Sequence, residues 1–470
     1  MRQRLSTIPM QVHLRRWLLV ACLFNHTVFA GDVSEKINAL IHEQLPHATV
    51  GIHVKDAESN AVIYSKYSNK LLVPASGMKL FTAAAALYYF GPKHQFETKL
   101  SEKNQNIYLT FGGDPSLSKR DLTALIAELK NHNITHIRGN FVLDTSRFKA
   151  PYYPNGISYE DLGWYYAAPD TAVMLDENTE TYIVHAKKRG DLIQIKPKNT
   201  QPALTLINQV VTVSHEQANK HCNLDIEIKS HNTLRLYGCL AINEQPRLIY
   251  LSVPDPNLLA TQRIQQALKQ NNIRLDGKII TGHTPSNTKH IAHVLSPVLS
   301  DLVGHMLKKS DNLYANALTK QLGFAVMHEG NHKQGAFAIT KIILQHTKLD
   351  MTQVDLADGM GTRYNLVTPK HMTDLLTAIY HDNTLRPIFF TALPKAGVSG
   401  NLQERMQKTA LDKHVLAKTG TMHDMSSLSG YMIDAEGSKL IFSIIINGVN
   451  QPIRRAKALE ESILLILHGR

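Results

Sequence analysis

The sequence predicts a mixed α/β protein, in which a domain of helices and strands is interrupted by a large β-rich insertion. Two observations lead to this fold class. Apolar residues recur with helical spacing near both ends of the chain, at 76–90 and from about 295 onward. Between these stretches, short β-like runs dominate from 181 to 253, and turn-forming residues separate them. The chain has 470 residues, enough for about three domains, so its length accommodates an insertion.

The N-terminal elements follow from local patterns. After a helical stretch, two apolar runs at 49–55 and 61–67 flank the turn-forming sequence Asp-Ala-Glu-Ser-Asn and predict a β-hairpin. A helix is predicted at 76–90. It should end at Gly91, because the following residue is a proline and cannot continue a helix.

The same periodicities predict the remaining elements, with strands at 107–111, 137–143, 428–433 and 439–447, and with helices at 120–131, 258–271 and from about 455. We place the insertion at 96–289. The interrupted domain then comprises 31–95 and 290–470.

The first thirty residues predict an export signal. Arginines up to Arg16 precede an apolar run at 17–24, and small residues surround a cleavage point after Ala30. The run is far shorter than the roughly 20 residues of a membrane span, so no transmembrane anchor is expected. We therefore expect a periplasmic protein whose signal peptide, residues 1–30, is removed. An alternative is a lipoprotein signal acylated at Cys22.

The charge of the chain is basic, with 51 Lys and Arg against 39 Asp and Glu, or +12. Removal of the signal takes away four arginines and no acid and leaves +8. Such a charge favours anionic polymers or membrane surfaces. Nucleic acid is not an expected partner, because no basic run with interleaved aromatic residues occurs.

Two cysteines, Cys222 and Cys239, remain after the predicted cleavage. Export exposes them to oxidising conditions, so one disulfide closing a short loop is expected. Two buried free thiols are the alternative.

Ser76 and Lys79 form an S-x-x-K motif at the start of the predicted helix. Residues three apart share a helical face, so Lys79 can reach the Ser76 hydroxyl. A serine becomes a nucleophile when a base takes its proton, and lysine is such a base only if burial or a cation lowers its pKa. The ordinary alternative is a capping serine beside a surface lysine. Three other S-x-x-K strings do not open an apolar helix; they begin at Ser116, Ser146 and Ser286.

Ser310, Asp311 and Asn312 form an S-x-N motif between two predicted helices. A short loop there could present a hydroxyl and an amide to a cleft. The pattern also occurs at Ser230 and Ser399, so it is weak evidence alone.

Lys418, Thr419, Gly420 and Thr421 form a K-T-G-T sequence that occurs once, in a predicted strand. An edge strand with a small glycine lets an extended peptide pair alongside it. Lys418 would hold a carboxylate, and the Thr421 backbone N–H could face an oxyanion. An ordinary surface strand is the alternative.

The three motifs in this order resemble the class C low-molecular-mass penicillin-binding proteins, which are exported D-Ala-D-Ala carboxypeptidases and endopeptidases. The resemblance runs from about Ile37 to the C-terminus. It includes the strings at 72–76, 113–117 and 139–146, and the 234 residues from Ser76 to Ser310 leave room for the large insertion of this class. One departure is Met360, where the family has a serine in an Asp-Gly-Ser-Gly segment. It leaves the local hydrogen bonding open.

The resemblance implies a penicillin-binding/β-lactamase-like transpeptidase domain and a set of catalytic roles. Ser76 would attack the D-Ala–D-Ala carbonyl, with Lys79 as the acylation base. Ser310 and Lys418 would pass a proton to the leaving group, and Asn312 would hold the substrate amide.

The resemblance also implies substrate-binding residues. Thr419 and Thr421, on either side of Gly420, would bind the terminal carboxylate of the substrate. Asp161 matches a family acid that contacts the amine of meso-diaminopimelate, and Arg363 matches an arginine near the same end. Two solvated surface charges are the ordinary alternative for this last pair.

No metal or organic cofactor is implied, and the expected partners are peptidoglycan peptides and β-lactam antibiotics. A rival motif is the H-E-x-x-H sequence from His328 to His332, which in zinc proteases lies on one helix. Gly330 and Asn331 are poor helix formers, so we predict a loop there and no zinc site.

Two other functions remain open at this point. A β-lactamase needs fast deacylation, and no spacing supplies the extra carboxylate base for it. A wall-binding protein with a decayed site is disfavoured by the intact motifs. The sequence does not decide whether carboxypeptidase or endopeptidase activity dominates.

Overall fold

The computed structural model describes residues 33–243 and 245–470. The predicted signal peptide, with Cys22 and the cleavage point at Ala30, lies outside the described residues. The chain divides into two compact units. The first comprises the described residues up to Leu72, Thr368–Tyr380 and Pro394–Arg470, and the second comprises Val73–Val367 and His381–Leu393.

The strands, in chain order, are β1 (Thr49–Asp56), β2 (Val62–Lys66), β3 (Glu97–Lys103), β4 (Asn106–Thr110), β5 (His136–Ile137), β6 (Phe141–Asp144), β7 (Thr179–His185), β8 (Gln194–Pro197), β9 (Thr205–Val213), β10 (Leu224–Ile228), β11 (Thr233–Ala241), β12 (Arg247–Ser252), β13 (Arg274–Leu275), β14 (Ile279–Thr281), β15 (Lys289–Leu295), β16 (Val415–Met422), β17 (Met425–Ile433) and β18 (Lys439–Asn447).

The helices, in chain order, are α1 (33–44), α2 (Lys79–Phe90), α3 (Lys119–Asn131), α4 (His215–His221), α5 (Pro256–Gln270), α6 (Leu299–Lys309), α7 (Asn312–Met327), α8 (His332–Thr347), α9 (Pro369–His381), α10 (Leu385–Ala392) and α11 (Arg454–His468).

The first unit is built on an antiparallel sheet with the strand order β16-β17-β18-β1-β2. Side chains alternate along β1. Ile52 and Val54 belong to the apolar core that α1 and α11 also form. His53 and Lys55 point to the other face and bond to α9, with Lys55 Nζ 2.8 Å from an Asp374 carboxylate oxygen. Strands β17 and β18 are buried along nearly their whole length, which is typical of central strands covered on both faces.

The second unit contains the remaining sheets, ordered β14-β6-β4-β3-β15, β10-β11-β9, β12-β7-β8 and β13-β5. Helix α2 contacts α6, α7 and α8, and α3 contacts α5. The 137–143 prediction was wrong in detail. Two strands, β5 and β6, occupy it, because the backbone N–H of Gly139 bonds to the Gln105 carbonyl and interrupts the run.

Helices and strands are both substantial, so the mixed α/β class is confirmed. The predicted insertion, 96–289, lies inside the second unit, and its boundaries stay a prediction. Within the two described ranges, no helix combines the length and the apolar character needed to cross a membrane.

The two cysteines of the predicted insertion are joined in the structure. Cys222 follows helix α4, and Cys239 lies in β11, with 5.4 Å between their Cα atoms. The disulfide ties this short helix to the sheet β10-β11-β9.

We expect replacement of both Cys222 and Cys239 by alanine to lower the free energy of unfolding by roughly 3 kcal/mol. The bond joins two cysteines that are 17 residues apart in the sequence. Its loss raises the conformational entropy of the unfolded chain and so favours unfolding. Urea denaturation of the two proteins measures the difference. Equal midpoints, or two free thiols in mass spectra of the exported protein, would contradict the prediction.

Candidate active site

Ser76 lies in a tight turn that precedes α2. A 3₁₀ helix spans Ala75–Met78, and the α-helix begins only at Lys79, so the predicted single helix at 76–90 is two consecutive elements. In a 3₁₀ turn, side chains three apart stand directly above each other. Lys79 Nζ accordingly lies 2.9 Å from Ser76 Oγ. Ser76 itself is half-buried, whereas Ala75 and Gly77 on either side of it are buried.

Lys79 is fully buried, and its amine has three oxygen partners. Besides Ser76 Oγ, Nζ lies 2.7 Å from Asn312 Oδ1 and 2.8 Å from the Met360 carbonyl. A neutral amine has two N–H donors and one lone pair. The two N–H groups can donate to the amide and carbonyl oxygens, which only accept. The lone pair is then left for the Ser76 hydroxyl, which donates to it.

The protonation of Lys79 is set mainly by its burial. Removing the amine from water lowers the pKa of Lys79 from its usual 10.5 to about 7, although the carboxylates of Asp311 and Asp358 act in the opposite direction. A substantial fraction of the lysine is therefore neutral near neutral pH. This is the state in which it can take the proton of Ser76.

The S-x-N motif brings Asn312 to the lysine. Helix α6 ends at Ser310, which has a left-handed backbone with φ 59°. Asp311 then caps α7 by accepting from the Tyr314 backbone N–H at 3.1 Å, so Asn312 is the first residue of the new helix. Its amide nitrogen donates to the Tyr166 carbonyl at 2.7 Å. The structure thus brings Ser76, Lys79 and Asn312 together. Ser310, two residues before Asn312 in the chain, is half-buried.

The segment 358–361 supplies the third oxygen. Asp358 is fully buried and accepts from the backbone N–H groups of Met360 and Gly361 at 2.9 and 2.7 Å. The contact to Lys79 uses the Met360 carbonyl, which any residue supplies, while the Met360 sulfur accepts from Asn316 at 3.5 Å. The departure from the family pattern therefore leaves the hydrogen bond to the lysine intact.

Glycine is needed at position 361. Gly361 has φ +101°, and a Cβ there would lie 1.9 Å from the Ala75 carbonyl oxygen. This close approach places the segment against the turn that carries Ser76.

The K-T-G sequence lies in the first unit, on strand β16 at the edge of its sheet, as predicted. Lys418 is fully buried, and its Nζ donates to the Thr419 carbonyl at 2.7 Å. Gly420 is buried beside them, whereas Thr421 is exposed.

Asp161 lies in a turn of the second unit and accepts from the Tyr166 hydroxyl at 2.9 Å. Arg363 is exposed and follows Thr362, whose hydroxyl donates to the Asn155 carbonyl at 2.8 Å. Tyr166 was missed in the sequence. It contacts Asn312 through its carbonyl and Asp161 through its hydroxyl. The contact with Asn312 uses a backbone carbonyl, which every residue has, so the sequence alone could not predict it.

The serines of two other S-x-x-K strings are hydrogen-bonded to nearby carboxylates. The hydroxyls of Ser116 and Ser146 donate at 2.6 Å to Asp114 and Asp144, two residues before each of them. Such local bonds are typical of turns. They favour Ser76 as the nucleophile.

The H-E-x-x-H sequence is a loop between α7 and α8, as predicted. His328 ends α7 with a left-handed backbone, and Asn331 caps α8. His332 is buried with its Nε2 3.0 Å from Asp170, which also pairs with the buried Lys320. Two helices with a loop between them do not place the two histidines on one helical face.

Among the described residues, one group has the spacing of metal ligands: Glu177, His305 and Asp311, whose ligand atoms lie within 4.8 Å of one another. His305 Nε2 is 3.2 Å from an Asp311 carboxylate oxygen, so the group is already connected by an ion-pair contact.

Comparison with known proteins gives consistent matches. Residues 33–464 match the D-Ala-D-Ala carboxypeptidase 3 (S13) family. D-alanyl-D-alanine carboxypeptidase DacB of Haemophilus influenzae is 32% identical over 419 residues, which cover 86% of this chain and 87% of that protein.

Solved structures agree with these sequence matches. The crystal structure of penicillin binding protein 4 from Haemophilus influenzae has a TM-score of 0.84 and 29% identity, and covers 92% of this chain and 99% of that one. The structure of the same protein complexed with a β-lactam has a TM-score of 0.80 and 28% identity, with the same coverage. The penicillin-binding fold expected from the motifs is confirmed.

Proposed function

The chain belongs to the D-Ala-D-Ala carboxypeptidase 3 (S13) family and is a serine D-Ala-D-Ala carboxypeptidase, and we propose that it acts through an acyl-enzyme on Ser76, also cleaves peptidoglycan crosslinks, and binds penicillin covalently. The observation that carries the acyl-enzyme proposal is the buried Lys79 amine 2.9 Å from the Ser76 hydroxyl. The proposed substrates are peptidoglycan stem peptides, and the proposed location is the periplasm.

In the proposed acylation, neutral Lys79 accepts the proton of Ser76 while Oγ attacks the carbonyl carbon of the D-Ala–D-Ala bond. A C–O bond forms and the C–N bond breaks. The leaving amine takes up a proton, which Ser310 and Lys418 are proposed to deliver. Water then hydrolyses the ester and restores Ser76.

The remaining roles rest on the motif order and stay proposals. The backbone N–H groups of Ser76 and Thr421 would form the oxyanion hole, where removal of one such donor typically costs ~10²–10³ in rate. Thr419 and Thr421, with the small Gly420 between them, would bind the terminal carboxylate. Asn312 would hold the substrate amide.

A labelled penicillin tests the proposed function directly. We expect stable label on Ser76 alone, because its hydroxyl is next to a partly neutral amine, whereas Ser116 and Ser146 are engaged with carboxylates. Peptide mapping after labelling identifies the residue, and Ser76→Ala is the control.

Each other outcome has a distinct meaning. Rapid loss of the label would indicate a β-lactamase, and no label would indicate a wall-binding protein with an inactive site. Label on another serine would contradict the assignment of Ser76.

The rate of acylation should depend on pH through Lys79. The lysine acts as a base only when neutral, and its pKa is lowered to about 7. The rate should therefore rise about tenfold per pH unit below that value and stop rising above it. Stopped-flow measurement with a chromogenic β-lactam gives the profile.

Lys79→Arg provides the control, because arginine stays charged at all accessible pH values and cannot accept the proton. A wild-type rate that still rises steeply above about pH 9 would contradict a lowered pKa.

Substrate choice is proposed to involve Asp161 and Arg363. The side chain of meso-diaminopimelate ends in an amine and a carboxylate. The negative charge of Asp161 would match the amine, and the positive charge of Arg363 would match the carboxylate. We expect Asp161→Ala to lower kcat/KM on diaminopimelate peptides by about ten- to a hundredfold, the size of one charged hydrogen bond. Acylation by penicillin G should change little, because that molecule lacks the side chain.

Glu160→Ala is the matched control, since Glu160 is the neighbouring acid and is exposed. Equal losses on peptide and penicillin would mean that Asp161 supports the fold rather than selects the substrate.

A further inference from the structure

Behind the S-x-N motif, in the second unit, three charged side chains form a cluster that the proposed mechanism does not use. His305 of helix α6 lies with Nε2 3.2 Å from Asp311 Oδ2 and 3.7 Å from Glu177 Oε1. Its ring also stacks on Tyr314, with 4.2 Å between the ring centroids. The imidazole therefore sits between two carboxylates from different parts of the chain.

Asp311 connects this cluster to the proposed catalytic residues. One of its carboxylate oxygens contacts His305, and the other caps α7 through the Tyr314 N–H. Asp311 lies between Ser310, whose backbone is left-handed, and Asn312, which contacts Lys79. A non-glycine residue in the left-handed region is strained and persists only when its surroundings hold it. The His305–Asp311 contact is one such hold.

Glu177 reaches the cluster from an unusual backbone. The three consecutive residues Asp176, Glu177 and Asn178 have φ values of 49°, 59° and 51°. The Asn178 side chain fixes this turn by accepting from the Leu175 N–H at 3.0 Å and donating to the Pro169 and Val173 carbonyls. This left-handed turn, inside the predicted insertion, presents Glu177 to His305.

We propose that His305 and Glu177 are positioning residues, which hold the Ser310–Asn312 loop in the geometry required for acylation of Ser76. The inference rests on the proposed function and deepens it. The predicted insertion would then contribute to the reaction rate, because its residue Glu177 supports the loop from behind.

The charges around His305 make its contact with the Ser310–Asn312 loop depend on pH. The hydrogen bond to Asp311, and the charges of Asp311 and Glu177, raise the pKa of His305, whereas burial and Lys309 oppose this. Burial and the Asp311 charge raise the pKa of Glu177. The cleft beside His305 is lined by two further charged residues, Asp301 and Lys308. The α10 residues that line it are uncharged: Pro387, Ile388, Thr391 and Ala392.

Because the pKa of His305 is raised in the folded protein, the contribution of its ion pair is complete below the ordinary histidine pKa. It is lost as the pH rises through the raised value. Above that value Glu177 and Asp311 face each other as like charges without the cation between them. We therefore expect the acylation rate, after its rise through the Lys79 pKa, to decline at alkaline pH.

The test compares His305→Ala, His305→Gln and Glu177→Gln in the full chain, with labelled penicillin from about pH 5 to pH 10. At about pH 6, His305→Ala should acylate ten- to a hundredfold more slowly than the wild type. Glutamine keeps an N–H donor without a charge, so His305→Gln should recover part of that loss and show no alkaline decline. Glu177→Gln should also reduce the decline, because the like charge is gone.

His293→Ala is the matched control, since His293 is an exposed histidine of strand β15 whose Nδ1 lies 3.8 Å from a carboxylate oxygen of Glu97. Its rate and pH profile should equal those of the wild type. Thermal unfolding and active-site titration show how much of each variant is folded and reactive.

The proposal is overturned if the reactive fraction of His305→Ala acylates with the wild-type rate and pH profile, because the histidine would then only support folding. It is also overturned if EDTA slows the wild type, which would mean that the three groups hold a cation. Absence of any label on the wild type would overturn both this proposal and the proposed function. If the wild type is labelled normally, a failed test overturns only the positioning role of His305 and Glu177.

Discussion

The buried amine of Lys79 is the interaction on which the rest of the site depends. Taking an ammonium group out of water is expensive unless its hydrogen bonds are replaced. Here Ser76, Asn312 and Met360 replace them, from three separate parts of the chain. Their oxygens serve either protonation state, because an ammonium donates to all three and a neutral amine donates to two. Burial can thus lower the pKa without leaving a polar atom unpaired.

The three segments that meet at the lysine amine each contain a residue with positive φ. The turn that carries Ser76 contains Ala75 with φ 46°, the S-x-N loop contains Ser310 with φ 59°, and the third segment contains Gly361, for which φ +101° carries no strain. Left-handed residues other than glycine are strained. Half-buried Asp311 offsets part of this cost beside Ser310 by capping α7, and buried Asp358 holds its own loop by accepting from the Gly361 N–H. Two strained residues, Ala75 and Ser310, thus lie in segments that reach the lysine.

The sequence predicted the elements and side chains whose chemistry is specific to a residue type. The periodicity located β1, α2 and the C-terminal strands, and the motifs located Ser76, Lys79 and Asn312. It did not predict the carbonyl groups of Met360 and Tyr166, since every residue has one and its position depends on the tertiary fold. The 3₁₀ turn at 75–78 was read as helix for a related reason, because apolar periodicity does not distinguish a tight first turn from an α-helical one.

Asn312 shows why an amide, and not a carboxylate, suits the centre of this arrangement. Its oxygen accepts from Lys79 and its nitrogen donates to the Tyr166 carbonyl, so its two ends need opposite hydrogen-bonding roles. A carboxylate would accept from the lysine equally well, but it would leave the Tyr166 carbonyl without this donor. It would also place a negative charge 2.7 Å from the amine and raise the lysine pKa, which works against the effect of burial. The neutral amide connects the lysine to Tyr166 and leaves the lysine pKa low enough for part of the amine to be neutral near pH 7.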